Sequence, residues 1–150
     1  MNPDFQQKFP LLVTGTFHQA SPATSAYNCI AWAAGVDTIW WWPHVDAFWP
    51  LGVPYEESVD AFEKAFATLG YTRCADGVLE TDFEKIAIYA DFAGAPKHAA
   101  RQLRDGRWTS KLGQDIDIVH TEPRVLNGPT YGYVARFMRR RRADLSNIAH

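Results

Sequence analysis

The chain is poor in cysteine: Cys29 and Cys74 are its only two. One possible bridge among abundant apolar residues is no disulfide framework, so a reducing compartment fits. No apolar run approaches a membrane span. The first ten residues carry Asp4 and a single base, Lys8, and only residues 11–13 are apolar before Thr14 and Gly15, which is not a secretory signal. These absences predict a cytoplasmic protein, or one exported without a signal peptide, with no membrane contact. Charge of one sign is also missing: the formal net charge is −2, so no basic field marks nucleic acid as a partner. A glycine-rich phosphate loop and a dinucleotide fingerprint are absent, and His44 with Asp46, or Asp115 with Asp117 and His120, lack metal-ligand spacing. No metal and no cofactor are expected.

What is present is apolar and aromatic. Hydrophobic residues make up 47% of the chain, with six Trp, six Tyr and nine Phe, enough for one folded domain over residues 1–150. The run Arg139-Arg140-Arg141-Arg142 reads as a basic C-terminal tail from about 139.

The stretch S-P-A-T-S-A-Y-N-C-I-A-W-A-A-G over 21–35 predicts a helix at 26–34, capped by Thr24 or Ser25 and stopped at Gly35. Cys29 then sits near the helix start, where free N–H groups favour a thiolate. Against this stands the ordinary fate of cysteine, burial in an apolar segment. Residues 1–24 read as an arm leading into this helix. The aromatics Trp40, Trp41, Trp42 and Trp49, broken by Pro43 and Pro50, predict a loop, either a core flap or the wall of a substrate cleft. Val59, Phe62, Phe66 and Leu69 recur at helical spacing before Gly70. Residues 71–81 read as a connection.

Strands are then expected at 85–90, 97–103, 108–112, 115–120 and 131–138, with Asp105-Gly106 as a hairpin turn. Helices first and antiparallel strands after predict an α+β fold, N-terminal helices packed on an antiparallel β-sheet. His98 opens a strand among small residues, which leaves room for substrate and imidazole, so Cys29 and His98 are the candidate nucleophile and base.

The order Y-N-C on a helix, I-A-I-Y-A-D in a strand, then a strand opening at His98 and running through D-G-R-W resembles papain-like cysteine hydrolases, especially the compact bacterial NlpC-type and CHAP-type amidases and peptidases. The resemblance covers about 27–117. It implies a Cys helix packed on an antiparallel sheet, a Cys29–His98 pair, and cleavage or transfer at amide bonds. It also implies a third polar residue that orients the imidazole about a dozen positions after the His, at Ser110. A strict two-residue hairpin would instead turn Thr109 and Lys111 to the His98 face, so a bulge must restore Ser110, or Asp115 or Asp117 must serve. The Cys29 N–H would be one oxyanion donor, with Gln19, Asn28 or a preceding Ser/Thr as the second. The expected function is thiol-dependent hydrolysis of a peptide, isopeptide or side-chain amide bond in a peptide or protein substrate. The alternative is a non-catalytic binding or interaction module that uses the aromatic patch.

Overall fold

The computed structural model describes residues 7–13, 15–21, 23–112 and 116–142. Alternating small and β-branched residues from Phe83 onward build the centre of one antiparallel sheet. Its strands are β1 (Phe17–Ser21), β2 (Thr72–Cys74), β3 (Phe83–Ala90), β4 (Pro96–Gln102), β5 (Trp108–Lys111), β6 (Asp117–His120) and β7 (Tyr133–Arg141), in the spatial order β1-β6-β5-β4-β3-β7-β2. Two short helices accompany it among the described residues, α1 (Cys29–Ala33) and α2 (Val59–Ala67), with a 3-10 turn at Pro123–Leu126.

This corrects the expected papain-like arrangement of N-terminal helices on a sheet: the architecture is an open seven-stranded sheet, and helices are the minor part. The arm expected before Cys29 contributes β1, which pairs with β6 at the sheet edge. The connection expected at 71–81 contributes β2, which pairs with β7. Both misreadings have one cause: edge strands are short and half-exposed, so they lack the apolar alternation that marks a buried strand. The expected helix at 26–34 shrinks to five residues because Asn28, not Thr24 or Ser25, is its cap. Asn28 is extended, at φ −109° and ψ 180°, and its Oδ1 accepts from the Ala31 N–H at 3.1 Å.

The sheet buries both faces. On one side α1 and α2 bring Ile30, Ala33, Phe62 and Phe66 against Ile86, Ile88, Ala99 and Met138. On the other, Phe9, Leu12 and Leu126 cover Ala87, Tyr89, Ala100, Trp108 and Ile118. Alternate residues of β3 and β4 thus enter different cores, which is why K-I-A-I-Y-A reads as an unbroken buried strand. The arginines expected in a tail lie on β7 or just beyond it: Arg139 pairs with Glu80, Arg140 with Glu84 at 2.6 Å, and Arg142 with Glu84 at 3.4 Å. No helix among the described residues is long and apolar enough to cross a membrane.

Asn28 does more than cap. Its Oδ1 also accepts from the Trp41 N–H at 3.0 Å and its Nδ2 donates to the Trp41 carbonyl at 2.7 Å, tying the aromatic loop to the start of α1. Asn28→Ala therefore loses a cap and strands buried backbone groups of Trp41, an expected destabilisation of about 2–4 kcal/mol. Asn28→Ser keeps the cap and should lose less. Urea unfolding of the native chain and the two variants checks this: equal stabilities of the variants would show that the cap contributes nothing, and Asn28→Ser as stable as the native chain would show that the Trp41 bonds contribute nothing.

Candidate functional site

Cys29 is the first residue of α1 and packs in the same core as Ala99 of β4. Strands β4 and β5 pair only at Arg101–Thr109 and Gln102–Trp108, although β4 begins at Pro96. The backbone N–H groups of Ala99, Ile30 and Cys29 itself favour the thiolate form of Cys29. Burial outweighs these donors and pushes the thiol up to about 11, so Cys29 is a neutral thiol at pH 7. Lys111, fully buried at the end of β5, opposes the shift weakly and stands 5.5 Å over the Tyr27 ring. Helix α1 is clamped to β5 by Trp32, whose Nε1–H donates to Thr109 Oγ1 at 2.9 Å.

His98 lies on the same strand, beside Ala99, but its ring enters the opposite core. The imidazole stacks on Tyr131 with ring centroids 4.0 Å apart and 7° between planes, and meets Tyr89 edge-on at 5.1 Å. Cys29 and His98 thus lie in different cores on opposite faces of β4, and no hydrogen bond joins them. The ring is wholly buried. Burial, with the nearby His120 adding to it, holds its pKa well below the ordinary value, so the imidazole is neutral.

Ser110 lies 2.9 Å from His98 Nε2, and on its other side 2.8 Å from His120 Nε2. The turn explains this placement. Leu103 N–H donates to Arg107 O at 2.7 Å and Gly106 N–H to Leu103 O at 3.0 Å, so the loop spans Arg104, Asp105 and Gly106, three residues rather than two. Gly106 takes φ +92°, the left-handed position that closes such a turn. The extra residue shifts the register by one and sends Ser110, not Thr109 or Lys111, to the His98 face. Of the other two expected orienters, Asp117 instead accepts from the hydroxyls of Tyr27 and Ser21, and Asp115 falls outside the described residues. Gln19 bonds to the Ser21 carbonyl on β1.

His120 completes the chain through Nδ1, 3.0 Å from the Glu122 carbonyl oxygen, and burial lowers its pKa to about 4. In sequence His120 is a scattered polar residue, since nothing local announces that β6 lies beside β5 with Trp108 opposite His120. The one usable signal was the alternation of Trp108 with Ser110.

Of the four tryptophans expected to wall a cleft, two do so. Trp40 and Trp42 line a cavity of about 440 Å³ with Cys29, Lys97 and Tyr131, and its lining is mainly apolar. Trp41 and Trp49 instead belong to the core: Trp41 packs on Phe48 at 4.9 Å, and Trp49 packs on Phe62 at 5.1 Å while its Nε1–H donates to Pro54 O. The loop folds back on itself, with the Trp42 N–H donating to Phe48 O at 3.0 Å and the Phe48 N–H to Trp40 O at 2.9 Å. Tyr131, which sequence reading had assigned only to a strand, lines the cavity and covers His98. Cys74 is free and half-buried, away from this site. Among the described residues, no group of three or more His, Cys, Asp or Glu could hold a metal ion.

Fold and site together define a small antiparallel-sheet domain with a thiol at the floor of an aromatic cleft. Over residues 18–139 the chain matches the family described as domain of unknown function (DUF7689), and it belongs to that family. No curated protein and no solved structure matches it.

The buried imidazoles make acid a specific weakness. Their folded pKa values lie below the unfolded value near 6.5, so the stability they contribute is full above that pH and is lost as pH falls toward 4. Each buried histidine should cost up to about 1.4 kcal/mol per pH unit in this window. Urea unfolding between pH 6.5 and 4.5 should show a shallower decline for His120→Gln than for the native chain, and parallel declines would contradict the assignment.

Proposed function

We propose that the protein is a thiol-dependent hydrolase or amidase acting on a peptide or protein substrate, with Cys29 as nucleophile and His98 as base. One observation carries this reading. His98 Nδ1 is fully buried without a hydrogen-bond partner, on the strand whose next N–H faces the Cys29 sulfur. Orphaned buried polar atoms are rare, and an unpaired imidazole nitrogen, one residue along the strand from the N–H that meets the thiol, can take a proton once the two groups are brought together. Ser110 holds the far side of the ring, as an orienting residue must.

Both groups are neutral at rest, so the chemistry starts from thiol and imidazole rather than from an ion pair. A substrate acyl group enters between Trp40 and Trp42. As the Cys29 sulfur bonds to the carbonyl carbon, the thiol proton passes to His98 Nδ1. The imidazolium then gives that proton to the leaving amine as the C–N bond breaks, and water hydrolyses the thioester with His98 as base again. The Ala99 and Cys29 N–H groups beside the sulfur are suited to the developing oxyanion. Closing the pair requires Tyr131 to yield over His98 when the cleft fills. Two free cysteines favour a reducing, cytoplasmic setting.

A second reading is favoured by the raised thiol pKa and the apolar lining: a binding module in which the cleft takes an apolar group and Cys29 is only part of its floor. The readings part in a screen of fluorogenic amides and peptides. For the enzyme, Cys29→Ala abolishes turnover and His98→Ala lowers kcat/KM by about 10²–10⁴. For the module, the native chain turns nothing over, and iodoacetamide labels Cys29 no faster than Cys74.

A further inference from the structure

The hydrogen bonds behind His98 run in one direction, and the direction is set at their far end. Glu122 contributes a backbone carbonyl, which can only accept, so the proton of neutral His120 is on Nδ1. His120 Nε2 is then bare and accepts from the single O–H of Ser110. With its hydrogen committed, the Ser110 oxygen can only accept from His98, which places the His98 proton on Nε2. A neutral imidazole has one such proton. Nδ1 is therefore left as a bare lone pair, and it is the nitrogen that has no partner in the fold.

We infer that the Glu122 carbonyl, acting through His120 and Ser110, fixes His98 in the Nε2–H tautomer and so makes Nδ1 the proton acceptor. Ser110 and His120 are positioning residues, not catalytic ones. The inference gives the proposed base its working atom and rests on that reading only for its consequence in turnover; the tautomer itself is a property of the folded chain. The opposite tautomer would reverse the chain. It would bury an Nδ1–H with no acceptor, turn the Ser110 O–H toward His98, and leave two lone pairs facing each other between Ser110 and His120. A neutral chain of two imidazoles and one hydroxyl also explains how polar groups survive in a core lined by Tyr89, Ala100, Trp108 and Ile118.

Histidine-selective ¹⁵N labelling and long-range ¹H–¹⁵N spectra at pH 7 read the tautomer directly. The native chain should show His98 Nδ1 as the unprotonated nitrogen and Nε2 as the protonated one. His98 found as Nδ1–H, or as an imidazolium, overturns the inference without any variant. His120→Leu removes the acceptor beyond Ser110 and should let His98 sample both tautomers, whereas His120→Gln keeps an acceptor oxygen and should retain the native one. An unchanged spectrum in folded His120→Leu overturns the relay, and Ser110→Ala provides the same test from the nearer link. In turnover, His120→Leu should lower kcat by about 10- to 100-fold with little change in KM, and His120→Gln should restore most of it. A native tautomer as inferred, in a chain that turns over no amide, retains the relay and refutes the proposed function instead.

Discussion

The three-residue turn between β4 and β5 is the constraint on which the site depends. Because Leu103 pairs with Arg107 and Gly106 can take φ +92°, the pairing of the two strands is displaced by one residue from that of a two-residue hairpin. In a sheet a shift of one residue exchanges the faces. Ser110 then shares a face with His98, and Thr109 faces α1, where it receives the Trp32 indole N–H. One turn residue therefore sets both the support of the imidazole and the seat of the helix that carries Cys29.

The same strand serves two cores. Ala99 belongs with Cys29 and the helices, while His98 and Ala100 belong with Tyr89, Tyr131 and Trp108. A thiol and an imidazole on opposite sides of a continuous sheet could not meet. Here β4 and β5 pair only at Arg101–Thr109 and Gln102–Trp108, so the proposed pair has to meet through the unpaired stretch beyond them. The Ser110–His120 chain fixes the far side of the imidazole. Desolvation sets the resting state: it favours the neutral form of both groups, so the site stores no ion pair.

Much of the sheet's centre was legible in sequence, since buried strands with Ile86, Ile88 and Ile118 and the Asp105-Gly106 turn leave strong local signals. The overall architecture was not. Residues 17–21 and 72–74 are edge strands with mostly exposed side chains, and only their partners β6 and β7 reveal them. At the site, Cys29 and His98 could be named from their places at a helix start and a strand start, and Ser110 only from the family resemblance, since a strict hairpin reading turns Thr109 and Lys111 to the His98 face. His120, Tyr131 and Lys111 could not, because their roles arise from strands placed side by side and not from neighbours in sequence. The tryptophan cluster shows the same limit: composition marks all four indoles alike, and the fold divides them between a cleft and a core.

The most direct test of a Cys29–His98 pair working across the split sheet is a crystal structure of the chain alkylated by a phenylalanine-derived chloromethyl ketone. The account predicts an adduct on the Cys29 sulfur, the aromatic group between Trp40 and Trp42, and His98 Nδ1 within about 3–3.5 Å of the sulfur. An adduct with Tyr131 still stacked over His98 and Nδ1 more than about 6 Å from the sulfur would contradict it, since proton transfer requires hydrogen-bond contact.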